Sequence, residues 1–290
     1  FQKVRTEGTY DLSCSAALTA PNKNLNRYKD VLPYDHSRIV LQGCNTDYVN
    51  ASLVEIESVG RKYILSQGPL SQTTPHFWLL IWQQKTKGIV MLNKIMEKNQ
   101  IKCHQYWPLG EKRGGESSTE FPSVNLKVEL LNESNRSHYI YRTLRLSNTS
   151  TNESREIIHF HYTTWSDFGV PQSPDAFFKF LSVVRASQCL ESQFGPAVIH
   201  CSAGIGRSGT FCLVDSILLM LDKGLCSTKS GKVLEVLLDM RKYRMGLIQT
   251  SDQLRFSYQA IIYGAQRLNE TNGKVRAPSL LPLIVFGASG

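Results

Sequence analysis

Cys201 and Arg207 stand six residues apart in the run His200-Cys201-Ser202-Ala203-Gly204-Ile205-Gly206-Arg207-Ser208. One thiol and one guanidinium at that spacing suit a thiolate attacking a bound phosphate group. The thiolate is the nucleophilic form of cysteine, and a helix N-terminus favours it. A guanidinium presents a planar fork matched to two phosphate oxygens. Gly204 and Gly206 permit backbone conformations that turn several N–H groups inward as an anion nest.

The flanks must supply that helix N-terminus. Pro196 to His200 is short, apolar and partly β-branched, which predicts a buried strand. From Ser208 to Lys223 the chain is apolar around much of a helical circumference, and Gly224 follows as a C-terminal glycine. The loop from Ser202 to Arg207 therefore belongs on a helix N-terminus, where free N–H groups and the positive dipole end attract an anion. A cysteine taken alone is most often an inert buried residue. The spaced arginine, the two glycines and the strand-loop-helix frame together favour the nucleophile.

Elsewhere the chain reads as one domain. Residues 1–27 are polar and irregular. Tyr48 to Glu57 and Arg61 to Ser66 predict a hairpin with Gly60 at its turn. Gly88 to Asn93 predicts a buried strand, and strands are expected at 102–107, 123–131, 138–146 and 156–162. Helices are expected at 74–85, where Pro75 suits the first turn, and at 174–188, 232–242 and 252–268. Residues 110–120 and 147–154 read as polar loops. Strands fill the first half and helices the second, which predicts an α/β or α+β class. No pattern is visible after Asn269, and Gly273 marks a boundary.

Composition narrows the partners. The 290 residues carry a formal net charge of +9 with 41% hydrophobic content, ordinary for a globular protein that attracts acidic ligands. The basic residues are scattered, which speaks against a nucleic-acid stripe. Seven cysteines, an odd count with no CxxC pair, argue against a disulfide framework or a zinc site and for a reducing compartment. No run reaches bilayer-spanning length. No metal or other cofactor is expected.

Several segments in order resemble the tyrosine-specific protein phosphatases. The loop from His200 to Gly209 resembles that family's active-site loop. Asn26-Arg27-Tyr28-Lys29-Asp30-Val31 is similar to its phosphotyrosine-recognition loop, and Asp47 to Ser52 to the strand that follows. Lys102-Cys103-His104-Gln105-Tyr106-Trp107-Pro108, Thr163 to Pro171, and Gln249-Thr250-Ser251-Asp252-Gln253 resemble three further motifs. The run from Arg241 to Gln249 is most similar to the non-receptor subfamily. The resemblance implies a twisted mixed central sheet flanked by helices, the cysteine phosphatase fold. It places a catalytic domain at 26–268, after a shortened irregular segment at 1–25 and before an unpatterned tail at 269–290.

The resemblance also implies roles. Cys201 would attack phosphorus and form a cysteinyl-phosphate. The loop N–H groups of Ser202, Ala203, Gly204, Ile205 and Gly206, with Arg207, would hold the phosphoryl oxygens. Asp167 would protonate the leaving phenolate and then activate water, on a loop that closes with Phe168 over the substrate. Gln249 would position that water with Gln253 in support, and Ser208 would donate to the sulfur. Tyr28 would wall a deep pocket that a phosphotyrosine can reach into and a phosphoserine cannot. Asp30 would bind the substrate backbone, and Lys29 would face acidic substrate residues. His200 would order the loop, Glu97 would orient Arg207, and Lys102 would contact the closed acid loop. Arg241, Met245 and Gly246 match a second phosphate-binding surface.

Two departures from the family pattern bear on rate and specificity. Ser166 stands where the family has proline before the acid, which predicts slower or less populated closure. Lys29 replaces an arginine, keeping the charge without the fork. The tail after about Asn269 does not resemble the subfamily's pattern, and its long C-terminal extension is not expected in these residues. The expected protein is a monomeric, cytoplasmic, redox-sensitive phosphatase acting on phosphotyrosine-containing proteins, among them tyrosine kinases and their signalling targets. The rival readings are a weakly catalytic phosphotyrosine-binding module of the same fold, a thiol oxidoreductase or sulfur transferase, and a broader phosphatase with a shallower pocket.

Overall fold

A computed structural model describes residues 1–227 and 231–273, with side chains as far as residue 270. In chain order the helices are α1 (Gln2–Glu7), α2 (Ser15–Leu18), α3 (Thr74–Gln83), α4 (Pro174–Ala186), α5 (Gly206–Asp222), α6 (Lys232–Met240) and α7 (Ser251–Gly273). The strands are β1 (Arg38–Val40), β2 (Tyr48–Ile56), β3 (Arg61–Ser66), β4 (Gly88–Met91), β5 (Met96–Glu97), β6 (Gln100–Ile101), β7 (Ser118–Phe121), β8 (Leu126–Asn135), β9 (Tyr139–Asn148), β10 (Ser154–Tyr162) and β11 (Ala197–His200).

Among the described residues nine strands form one mixed sheet in the order β1-β2-β3-β11-β4-β10-β9-β8-β7, and β5 pairs with β6 apart from it. The centre is parallel, with β11 between β3 and β4 and β10 beside β4. Antiparallel strands extend both flanks. β11 and β4 lie at this centre with every residue buried, which is why Ala197, Val198 and Ile199 run apolar without alternation.

The two faces bury separate apolar layers, and the period of two along β11 shows it. Ala197 and Ile199 join Phe177, Phe180, Phe211 and Leu237 under the helices α4 to α7. Val198 joins Phe77, Trp78 and Ile81 under α3. Each such side chain, once buried, contributes roughly 1.5–3 kcal/mol. α5 is buried nearly all round, its apolar side chains joined by the buried Asp215 that pairs with Arg61 and Arg185. α4 starts where Ser173 accepts the Ala176 N–H at 3.1 Å and Pro174 occupies the first turn.

Several expectations need correction. Residues 1–27 are not irregular: they hold α1, α2 and a 3-10 turn at Lys23–Leu25. Residues 102–107 form no strand. Their backbone bonds to single carbonyls of Ile95 and Pro69, while Cys103, Tyr106 and Trp107 bury themselves. The polar stretch 110–120 contains the start of the edge strand β7. Strand β8 begins three residues later than expected, after a turn whose Asn125 has φ +54°. α7 continues past Leu268 to Gly273. The rest of the expected tail, from residue 274, lies outside the described residues. Among the described residues no helix is long and apolar enough to cross a membrane.

Candidate active site

The loop after β11 hangs from the parallel centre of the sheet and feeds directly into α5. Cys201 is only 3% exposed, at the floor of a cleft of about 180 Å³. The Gly204 N–H and the Ser208 hydroxyl each point at its sulfur from 3.3 Å. Gly204 has φ +76°, and a Cβ there would fall 2.2 Å from the Ser66 carbonyl oxygen. A Cβ on Gly206 would fall 2.3 Å from Gln249 Oε1. Both glycines are therefore required by close approach, and Gly204 by its left-handed backbone as well.

Arg244 holds the loop from outside. It is fully buried, and its Nε donates to the Gly204 carbonyl at 2.9 Å and its Nη2 to the Ala203 carbonyl at 3.0 Å. Its remaining donors reach Ser52 Oγ at 3.0 Å and Asn50 Oδ1 at 2.8 Å. With those carbonyls drawn outward, the peptide N–H groups are left to face the cleft. Burial pulls the guanidinium down to about 10.

Beneath Cys201 lies a hydrogen-bond chain whose direction follows from its ends. His200 Nδ1 faces the Cys201 carbonyl at 3.1 Å, which can only accept, so Nδ1 carries the proton. His200 Nε2 then accepts from the Tyr106 hydroxyl at 2.7 Å. The Tyr106 oxygen accepts in turn from His159 Nε2 at 2.7 Å, and His159 Nδ1 accepts from Arg142 Nη1 at 3.1 Å. Arg142 Nη1 also reaches His161 Nδ1 at 3.1 Å, and His161 Nε2 donates to the Asn93 carbonyl at 2.7 Å. The scheme needs three neutral imidazoles. Burial holds His200 down to about 4 and, with Arg142 adding repulsion, His161 to about 3 and His159 well below its ordinary value.

Arg207 is 2% exposed and spends its fork on carboxylates. Glu97, at the β5–β6 hairpin, takes Nη1 at 2.9 Å and Nη2 at 3.0 Å. The Trp165 carbonyl takes Nη1 at 2.9 Å, and Asp167 Oδ1 lies 3.3 Å from Nη2. Burial acts to lower the Arg207 pKa, but Cys201, Glu97 and Asp167 outweigh it and the net shift is upward. The second Asp167 oxygen pairs with Lys102 Nζ at 3.0 Å, and that hydrogen bond raises Lys102. The Asp167 loop therefore lies closed over the cleft. Phe168, at φ +55° and 56% exposed, forms its rim, and Trp165 Nε1 ties the loop to the Gly169 carbonyl at 3.0 Å.

Tyr28 stands opposite. Its hydroxyl donates to Ser202 Oγ at 2.7 Å, because Ser202 Oγ itself donates to the Lys102 carbonyl at 2.9 Å. Tyr28, Asp30, Lys102, Asp167, Phe168, Cys201, Ser202, Ala203, Arg207 and Gln249, with Val31, line the cleft. Gln253, at the start of α7, accepts the Gln249 backbone N–H at 2.9 Å. Ser208, Ile205 and His200 lie buried around the loop, and Glu97 backs it behind Arg207. Lys29 is exposed beside the cleft and does not line it.

Arg241, Met245 and Gly246 do not line the cleft. Arg241 is 5% exposed, and its hydrogen bonds run to backbone carbonyls. Met245 packs beside Ala17, Leu32 and Tyr48, and Gly246 serves a left-handed turn at φ +69°. Arg244, Tyr106 and Arg142 were not singled out from the sequence. Arg244 sits three residues from Arg241 in the same motif, and Tyr106 sits in a quoted one, so motif membership was the available signal. Arg27 was likewise passed over, and its guanidinium binds the Gly68 and Pro69 carbonyls at 2.9 and 2.7 Å.

A protein-tyrosine phosphatase family model matches residues 22–263. The chain is 55% identical over 250 residues to the Drosophila melanogaster tyrosine-protein phosphatase non-receptor type 61F, covering 86% of this chain and 44% of that protein. It is 54% identical over 266 residues to the Mus musculus tyrosine-protein phosphatase non-receptor type 2, covering 92% and 63%. It is 36% identical over 273 residues to the Homo sapiens non-receptor type 13 enzyme, of which it covers 10%. The chain thus spans less than two thirds of the length of each of these relatives.

Proposed function

The chain belongs to the protein-tyrosine phosphatase family, with non-receptor relatives, and we propose that it hydrolyses phosphotyrosine in proteins through a cysteinyl-phosphate. The observation that carries this reading is the convergence on one cleft of a sulfur held by two donors, an arginine fork and a carboxylate from a separate loop.

In the first step the Cys201 thiolate attacks phosphorus and the P–O bond to the phenol breaks. Asp167 gives its proton to the departing phenolate. Loop N–H groups and Arg207 stabilise the charge spread over the phosphoryl oxygens. In the second step water, aligned by Gln249, adds to phosphorus while Asp167 takes its proton. The P–S bond breaks, and the Ser208 hydroxyl stabilises the returning thiolate. Glu97 orients Arg207, and Lys102 with Arg207 steadies the acid loop. Tyr28 and Phe168 would sandwich the substrate ring, and Asp30 would bind the peptide backbone. Lys29 at the rim would favour acidic residues beside the phosphotyrosine.

Phosphotyrosine proteins in the cytoplasm, including tyrosine kinases and their targets, are the proposed partners of a monomer. A thiolate at the cleft floor would make the enzyme reversibly sensitive to peroxide. The test is hydrolysis of a phosphotyrosyl peptide by wild type, Cys201→Ser and Asp167→Ala. Turnover is expected in wild type alone, with tight substrate retention in both variants. Full activity in Cys201→Ser would end this mechanism, and retention without turnover in wild type would favour a binding module.

A further inference from the structure

Arg241 is a buried cation that pairs with no carboxylate among the described residues. The ionisable groups that bear on it are the phenols of Tyr34 and Tyr10. Its guanidinium is satisfied by four backbone carbonyls instead. Nε donates to Leu247 at 2.9 Å and Nη2 to Ile248 at 2.9 Å, while Nη1 reaches Val4 at 3.4 Å and Gly8 at 3.3 Å. The last two lie within and just past α1, whose C-terminal end carries partial negative charge. The first two immediately precede Gln249.

The turn at Ile248 needs such a clamp. Ile248 has φ +66°, a left-handed conformation that β-branched residues avoid and that persists only where the surroundings over-determine it. It is fully buried, and it is held at both ends. Its N–H donates to the Ile205 carbonyl of the phosphate loop at 2.9 Å, and its carbonyl accepts from Arg241. Relaxation of Ile248 would redirect the chain at the next residue and carry the Gln249 side chain off its contact with Gly206.

We infer that Arg241 is a positioning residue for Gln249, clamping the strained Ile248 turn to α1 so that the water-directing amide stays over the phosphate loop. The inference rests on the phosphatase reading and concerns its second step. Loss of the clamp slows hydrolysis of the cysteinyl-phosphate and leaves its formation alone. For a two-step reaction, slowing only the second step lowers kcat and KM by the same factor and leaves kcat/KM unchanged.

Two variants test it, with p-nitrophenyl phosphate as the probe in stopped flow. Arg241→Lys keeps the charge but cannot span four carbonyls. Gly8→Ala leaves the guanidinium in place but puts a Cβ 2.8 Å from its Cδ and 2.6 Å from the Val4 oxygen, so the clamp must shift. Arg241→Lys is expected to lower kcat and KM together by about tenfold. Its burst of nitrophenolate per enzyme should stay intact. Gly8→Ala should show the same signature at smaller size, and it decides the matter if Arg241→Lys fails to fold. Unchanged kcat in both variants, or a fall in kcat/KM matching that in kcat, overturns the clamp. No burst and no turnover in wild type would refute the phosphatase reading itself, and the clamp with it.

Discussion

Lys102 Nζ lies 3.0 Å from Asp167 Oδ2, joining the segment after β6 to the loop that carries the acid. The two side chains are 13% and 16% exposed, so the pair is partly shielded and its partner Arg207 is shielded further. Closure of the acid loop is therefore anchored from two elements outside the loop.

Lys102→Met removes one anchor and keeps the apolar stem. A partly exposed pair of this kind contributes about 1 kcal/mol, which corresponds to roughly fivefold in a closure equilibrium. We expect kcat on a phosphotyrosyl peptide to fall by about that factor. The rate of Cys201 alkylation by iodoacetamide should stay unchanged, because the thiol's own donors are untouched. Faster turnover, or an equal loss of thiol reactivity, would contradict this assignment.

Ser166 precedes the acid, is exposed, and has its carbonyl accepting the Gly169 N–H at 3.1 Å in a tight turn. A proline at this position would fix φ and restrict Trp165 before it. Ser166→Pro should restrict the open ensemble by about 0.4–1 kcal/mol and raise kcat about two- to fivefold. Equal kcat values in parallel assays would sink the idea.

Arg244 holds the loop after β11 from behind, and its loss takes a donor from four acceptors, three of them buried and the Ala203 carbonyl part-buried. Each such orphan costs about 1–3 kcal/mol. Arg244→Met should therefore lower Tm by roughly 10 °C or more and abolish phosphate protection of Cys201 against alkylation. A variant with near-normal Tm and intact protection would show that the loop holds its shape unaided.

The Cys201 loop was legible because its strand, loop and helix are contiguous in sequence, so local pattern alone placed Cys201 in a loop that feeds a helix N-terminus. The roles of Arg241 and Arg244 were not legible. Both stand in one short run, and only the tertiary placement of α1 and β2 decides which guanidinium meets which carbonyls. Residues 102–107 misled for a related reason. The alternation breaks at Gln105, the adjacent Tyr106 and Trp107 are both buried, and the segment's N–H groups bond outside any ladder. The edge strands β1, β5, β6 and β7 are too short to show a period. β7 also begins inside a polar, glycine-bearing stretch, where composition points to a loop.

His159, His161 and His200 make stability depend on mildly acid pH. All three are buried and held neutral, with His200 brought down to about 4 and His161 to about 3. In the unfolded chain each titrates near 6.5, so between that value and about 4 the unfolded state binds more protons than the folded one. Stability then rises with pH across this window and is lost as pH falls, by up to about 1.4 kcal/mol per unit for each histidine. The depressed carboxylates of Asp215 and Glu133 act in the same direction at lower pH, below about 4, where unfolded carboxyls take up protons. Urea unfolding at pH 7.5, 6 and 5 should show a steady fall in midpoint. His161→Asn should reduce the pH slope by about one proton's worth, whatever its cost at pH 7.5. A midpoint flat from pH 7.5 to 5 would mean that the chain from Arg142 to the Cys201 carbonyl is not built from neutral imidazoles.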